Sequence, residues 1–316
     1  MFIKISKNSI MKNFSIFILL LLQIVNVYSQ TDCVITHYSS EDGLSENTVM
    51  DILQDKKGNM WFSTWNGINK FDGYTFHTYK GFLDNEIALT NNRVDCMELD
   101  KYGYIWMLTY DERAFRFDPR TEIFESVPDY DNTEIHIPIT RIKTLPNGNV
   151  WLLSQNRGAI RIITDSISKK ITTEYYSSGS EVFPVSSVFN VYQIGDDEWV
   201  LSDNGLACFN KSGNNPEVFF ELNSSGKDGI VRKQKFFTLE ENKDKLFFGA
   251  NNGYVWILNK GNNIFTPLKL PIQSNITGIK YIEKNDKLII ASKKDGFFVY
   301  DIKNDTYKHF KPNMLP

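Results

Sequence analysis

The chain has 316 residues, 41% hydrophobic and 23% charged, with a formal net charge of -3 at pH 7. That is enough apolar side chain for a core, and too near charge balance, with lysines and arginines scattered, for a nucleic-acid-binding stripe. Its 23 Phe, 15 Tyr and 6 Trp favour strands over helices, because aromatic rings fit a pleated, half-buried surface.

Lys4, Lys7 and Lys12 precede the apolar run from Phe14 to Val25, and Val27-Tyr28-Ser29 stands before Gln30. This is the layout of a secretory signal peptide, and the run falls short of the roughly 20 apolar residues that span a bilayer. Residues 1–29 are therefore read as a signal peptide cleaved after Ser29, and 30–316 as an exported, periplasmic domain. Gln30-Thr31-Asp32 does not resemble the small apolar residues that precede a lipidated cysteine, so Cys33 is not expected to carry lipid. Cys33, Cys96 and Cys208 are odd in number and lack C-x-x-C spacing, so neither a disulfide framework nor a zinc site is indicated; Cys96 and Cys208 read as small buried side chains on strands. His37, His77, His136 and His309 lie too far apart in sequence to be read as a metal cluster, and no metal or cofactor is expected.

After the leader the chain repeats itself. Trp61, Trp106, Trp151 and Trp199 follow one another at intervals of 45, 45 and 48 residues, and the same pace leads on to Phe247 and Ile289. Three residues before each anchor stands a turn residue: Gly58, Gly103, Gly148, Asp196, Asp244 and Asp286. Glycine enters left-handed backbone conformations freely, and Asp is among the residues that tolerate them. A second glycine follows most anchors, as Gly67, Gly158, Gly205, Gly253 and Gly296; the second copy alone lacks it. Each copy reads as four short alternating strands, which in the first are Val49 to Gln54, Met60 to Thr64, Ile68 to Phe71 and Tyr74 to Tyr79.

A period in this range with four strands per unit predicts an all-β propeller, whose blades bury their apolar faces only against one another. Six blades are expected near 47–80, 91–128, 138–177, 187–222, 233–270 and 275–311. The segment from Cys33 to Tyr38 resembles a fourth strand such as Thr75 to Tyr79 or Thr306 to Phe310. It reads as a closing strand lent to a further blade, which makes the chain an incomplete seven-bladed propeller and a fragment of a longer parent.

The run DILQDKKGNMWFSTWNGINKFDG, residues 51 to 73, preceded by Glu41-Asp42-Gly43-Leu44-Ser45, closely resembles the two-component-regulator propeller repeat. The likeness is strongest in the first copy and fades towards the sixth. It implies the periplasmic sensor region of a Bacteroidetes hybrid two-component histidine kinase. Such a parent would be anchored in the inner membrane, would continue into kinase and receiver domains, could act as a homodimer, and would control carbohydrate-utilisation genes in response to oligosaccharides from complex polysaccharides. No dimerisation histidine helix, glycine-rich nucleotide box or receiver aspartate is legible in this chain, so no catalytic residue is assigned and no kinase activity is expected of it.

In a blade, the loop joining the second and third strands lies at the same end as the connection to the next blade, and a rigid scaffold leaves such loops free to vary. This places Trp65 and Asn66 from the first copy, Tyr110 and Arg113 from the second, Asn156 and Arg157 from the third, and Asn92 and Arg93 from a connection on one candidate ligand-binding face. Aromatic rings beside amides and guanidinium groups suit a sugar, which presents both C–H faces and hydroxyls. The competing structural reading makes Trp65 a packing residue and the asparagines turn residues beside glycine. Trp61, Trp106, Trp151 and Trp199 read as structural anchors.

Two other functions fit the fold. One is a secreted sialidase-like glycosidase, because Asp55 to Trp61 resembles an Asp-box hairpin, although with one residue too many between Asp and Gly; such an enzyme needs convergent acidic groups that sequence cannot show. The other is a non-signalling interaction scaffold. A calcium loop at Asp55 or Asp100 lacks the further acidic ligands it would need.

Overall fold

The structure is a computed structural model that describes residues 35–81, 89–128, 136–178, 187–210, 217–219, 221–222 and 232–312. The chain divides into two units, 1–38 and 39–316. The leader read from residues 1–29, like Cys33, lies outside the described residues.

Residues 39–316 hold six four-stranded antiparallel sheets, each a simple up-and-down meander. Sheet 1 comprises Val49–Gln54, Met60–Thr64, Gly67–Phe71 and Phe76–Tyr79. Sheet 2 comprises Val94–Leu99, Ile105–Thr109, Ala114–Asp118 and Ile123–Ser126. Sheet 3 comprises Ile139–Thr144, Val150–Ser154, Gly158–Thr164 and Ile171–Ser177. Sheet 4 comprises Val188–Ile194, Asp197–Ser202, Gly205–Phe209 and Glu217–Phe219. Sheet 5 comprises Phe236–Glu241, Lys245–Ala250, Tyr254–Asn259 and Ile264–Lys269. Sheet 6 comprises Ile276–Ile282, Lys287–Ser292, Phe297–Asp301 and Thr306–Phe310. The all-β propeller read from the repeat is the fold, and these sheets are its blades. A short extra pairing joins Glu221–Leu222 to Arg232–Lys233.

The sheets bury their faces against their neighbours in sequence. Five apolar clusters fill the five seams, joining sheets 1 and 2, 2 and 3, 3 and 4, 4 and 5, and 5 and 6. Every anchor but the last faces the following sheet: Trp61, Trp106, Trp151, Trp199 and Phe247 are buried. Ile289 occupies the same register position in sheet 6 and is 38% exposed. No seventh four-stranded sheet is present among the described residues, and an anchor has a core only where a following sheet supplies it.

The turn chemistry holds in most copies and differs in informative places. Gly58, Gly103, Gly148 and Asp286 adopt positive φ, but in the fourth copy Gly195 does so in place of Asp196, and in the fifth Asp244 does not; there Asn242 closes the hairpin by accepting from the amides of Asp244 and Lys245. The fourth strand of sheet 1 begins at Phe76, later than Tyr74, because the Asp72 carboxylate takes the amides of Tyr74 and Thr75 and holds them in a turn. The second glycines Gly67, Gly158, Gly253 and Gly296 are required twice over, by a positive φ and by the lack of room for a Cβ. Gly158, for example, has φ +89°, and a Cβ there would lie 2.0 Å from the Tyr176 carbonyl oxygen. In the second copy, which lacks this glycine, Glu112 takes the left-handed conformation instead.

The closing strand expected over 33–38 is not formed by its described part: residues 35–38 are irregular and Ile35 is 93% exposed. A strand persists only where its amides find a ladder. Cys208 is buried and Cys96 half-buried, both on strands; burial, aided by Asp51 and Glu98, pushes the Cys96 thiol up to about 11.

Candidate functional site

Each strand of a sheet has two ends, and they differ in chemistry. At the end carrying the loop between first and second strands, carboxylates are spent on structure. Asp55 accepts hydrogen bonds from the amides of Lys57 and Asn59, from the Asn59 side chain and, at 3.0 Å, from the Trp61 indole. Partial burial works to raise its pKa, and these hydrogen bonds outweigh it, leaving the carboxyl below its ordinary value. Asp100 repeats the arrangement with Tyr102, Tyr104 and the Trp106 indole at 2.9 Å. The Asp-box-like hairpins are thus folding devices that hold the anchor ring.

The third copy has Leu145 where the first two have Asp55 and Asp100, and its acceptor comes from the next sheet. Buried Glu198 accepts from the Trp151 indole at 2.7 Å, from the side chains of Asn147 and Asn149, each at 2.6 Å, and from Arg161 at 3.0 and 3.1 Å. Burial disfavours the Arg161 cation, yet its pairing with Glu198 and then Glu174 holds its pKa above the ordinary value.

At the opposite end, the loop between second and third strands meets the connection into the next sheet through the backbone: the amide of Gly67 donates to the Asn92 carbonyl, and that of Tyr110 to the Arg93 carbonyl. These bonds bring three of the expected ligand-binding residues into one array. The Arg93 guanidinium carbon lies 4.1 Å from the centroid of the Tyr110 ring and 5.2 Å from that of Trp65. Trp65 is 51% and Tyr110 59% exposed. Aromatic rings left this open attract a cation over their faces by their quadrupoles.

Acidic residues missed in the sequence complete the array. Asp95 accepts from Arg93 Nε at 2.8 Å, and Asp111 lies 3.9 Å from Arg113 Nε and accepts from the Thr90 hydroxyl at 2.7 Å. Burial works to raise the Asp111 carboxyl, but hydrogen bonds from threonine hydroxyls and the neighbouring Arg113 bring it below its ordinary value. The Trp65 indole N–H points to the Met50 sulfur at 3.3 Å. Asp95 was legible in principle, lying only two residues from Arg93, whereas the approach of Asp111 depends on how the loop of the second copy folds. Two arginines and two aspartates make the array electrically balanced, with open ring faces beside hydrogen-bonding groups.

The remaining expected residues divide. Asn66 donates to the Ser45 carbonyl, and Asn92 accepts the Gly81 amide, so both hold loops at the border of the array. Asn156 takes a positive φ and exchanges hydrogen bonds with Ser187 as a turn residue. The Arg157 carbonyl accepts from the Tyr175 hydroxyl while its side chain is exposed. Neither Asn156 nor Arg157 makes a hydrogen bond or ring contact with the Trp65–Arg93–Tyr110 array. Among the described residues, no three His, Cys, Asp or Glu side chains gather as a metal site, and no helix is long and apolar enough to cross a membrane.

Residues 43–66 match the two-component regulator propeller family. Over 83 residues, a quarter of this chain, the sequence is 32% identical to histidine kinase P4 of Formosa agariphila, and it spans 6% of that protein's length. The fold resembles the extracellular domain of the putative hybrid two-component system BT3049 from B. thetaiotaomicron, with a TM-score of 0.55 and 22% identity, over 89% of this chain and 37% of that one. It resembles equally the extracellular domain of the putative hybrid two-component system BT4673 from the same organism, with a TM-score of 0.54 and 18% identity, over 84% of this chain and 33% of that one. At these identities the structural likeness is one of fold.

Proposed function

We propose that the chain is the exported ligand-sensing propeller of a hybrid two-component receptor, that it binds an oligosaccharide at the Trp65–Arg93–Tyr110 array, and that the signal passes to kinase and receiver domains of a longer parent. In this reading residues 1–29 are the cleaved leader, 30–316 the periplasmic propeller, and the regulated genes serve carbohydrate use. The observation that carries the binding site is the guanidinium held over two half-open aromatic rings at the loop end of sheets 1 and 2. The match of residues 43–66 and the extracellular two-component neighbours support the signalling context. Charge balance within the array favours a neutral, polyhydroxylated ligand: ring faces take C–H groups, and the guanidinium edge not used by Asp95 donates to hydroxyl oxygens.

The chain itself is proposed to be non-catalytic, because the carboxylates of its Asp-box-like hairpins are bound to indole and amide groups. Calorimetric titration with a panel of neutral oligosaccharides tests the proposal. Saturable binding is expected for at least one, weakened at least about tenfold by Trp65→Ala or Tyr110→Ala, the effect of losing a central aromatic contact. Binding by neither, binding insensitive to both substitutions, or release of cleaved product would overturn it.

A further inference from the structure

A second cleft lies at the other end of the same two sheets. The cross-strand register sets a cation beside the anchor indole in each of the first three sheets: Lys70 opposite Trp61, Arg116 opposite Trp106 and Arg161 opposite Trp151. On the fourth strand the next position in this row is Glu125 in sheet 2 and Glu174 in sheet 3, and each carboxylate pairs with its arginine. In sheet 1 that position is His77. Lys70 accordingly has no ion pair among the described residues, and its ammonium sits 6.0 Å from the Trp61 ring centroid.

Lys70 also lines a cavity of about 190 Å³ between sheets 1 and 2, together with Asp55, Lys56, Lys57, Tyr102 and Arg120. Four cations thus face one carboxylate, and that carboxylate is committed to the Trp61 indole and the hairpin amides. Lys56 donates to the Lys101 carbonyl, a neutral acceptor, and Arg120 is held by Asp118, so the charges of Lys56, Lys57 and Lys70 are uncompensated. Glu122 on the adjoining turn is turned to the Tyr79 hydroxyl. The volume is below the roughly 300 Å³ at which pockets for larger ligands begin.

We infer that this cleft binds a single oxyanion, a carboxylate, sulfate or phosphate group, which takes the place beside Lys70 that Glu125 and Glu174 fill in the next two sheets. Charge-assisted hydrogen bonds from two ammonium groups suit such a group, and the open aromatic array at the far end of the strands is not involved.

The test is calorimetric titration of the folded chain with inorganic sulfate, inorganic phosphate and sodium glucuronate at matched ionic strength. At least one should bind saturably, and Lys70→Gln should weaken it at least about tenfold. His77→Glu, which supplies the missing carboxylate in place, should weaken it as much while raising the anion-free melting temperature, so the outcome does not depend on a variant that fails to fold. Trp65→Ala should leave it unchanged, which separates this site from the proposed oligosaccharide site. Binding of the inorganic ions alone would assign the cleft to a free ion, and binding of glucuronate to an acidic sugar. No saturable binding by any of the three, or binding that survives both Lys70→Gln and His77→Glu, would overturn the inference.

Discussion

Replacing Glu198 by Gln asks how much one borrowed carboxylate contributes to the seam between sheets 3 and 4. Glu198 is buried and receives five hydrogen bonds, from Asn147, Asn149, the Trp151 indole and two nitrogens of Arg161. The amide keeps the shape but removes the charge opposite Arg161, and its NH2 turns a donor towards donors. Breaking a buried pair by removing one partner costs about 3–5 kcal/mol. Arg161 keeps Glu174, at 3.2 Å and partly exposed, as a second partner, so the lower end, about 3 kcal/mol, is expected. At about 2 °C per kcal/mol for a chain this long, the melting temperature should fall by roughly 6 °C. Urea unfolding should show the midpoint moving at constant slope, since the surface exposed on unfolding is unchanged. Glu241→Gln at the surface pair with Lys260 is the control and should cost less than about 1 kcal/mol. A loss below about 1 kcal/mol for Glu198→Gln would refute the assignment of this carboxylate as the anchor's acceptor.

Asp55 supplies a prediction in pH. Its pKa in the folded chain lies below the ordinary 3.8, so its contribution is complete at neutral pH and is lost only as the pH falls through that lowered value. Asp55→Asn should therefore be less stable than the parent at pH 7, by about 1–3 kcal/mol, and the gap should close in acid, as followed by urea unfolding from pH 7 to pH 2; a gap constant over that range would contradict the assignment. Gly158→Ala should be far more damaging than Gly58→Ala, since both have positive φ but only the first would drive a Cβ into a carbonyl oxygen; about 1–2 kcal/mol is expected at Gly58 and more at Gly158 by thermal unfolding. Phe247→Ala should cost about 3–5 kcal/mol, whereas Ile289→Ser should stay within about 1 kcal/mol, because the same register position is buried in sheet 5 and open in sheet 6.

The anchors and second glycines were readable in the sequence because they serve requirements internal to one sheet: a ring on a given strand face, a backbone that must turn left-handed. Their spacing carries that information directly. Glu198 was not readable, because it answers to Leu145 and Trp151 across a seam and the pairing depends on how two sheets approach. The candidate site shows the same division. The end of the sheets on which Trp65, Arg93 and Tyr110 lie followed from strand order, whereas the stacking of Arg93 on both rings depends on hydrogen bonds between the Gly67 and Tyr110 amides and the connection. Asn156 and Arg157 share that end but belong to another loop, and strand order alone could not say which loops meet.

The weakening of the signature along the chain has a physical account in the indole N–H. A buried tryptophan needs an acceptor, and a donor left without one costs about 1–3 kcal/mol. Trp61 and Trp106 find Asp in their own hairpins and Trp151 finds Glu198 in the next sheet. Once the acceptor is supplied from outside the repeat, hairpin and anchor are free to change separately. Phe247 and Ile289 take the change to its end, since a ring or chain without a donor asks only for volume. Trp256 in sheet 5 is the contrasting case, its buried Nε1 having no acceptor among the described residues. Residues 43–66, which match a known family, contain the whole of the first such pair, Asp55 and Trp61, tied within one copy.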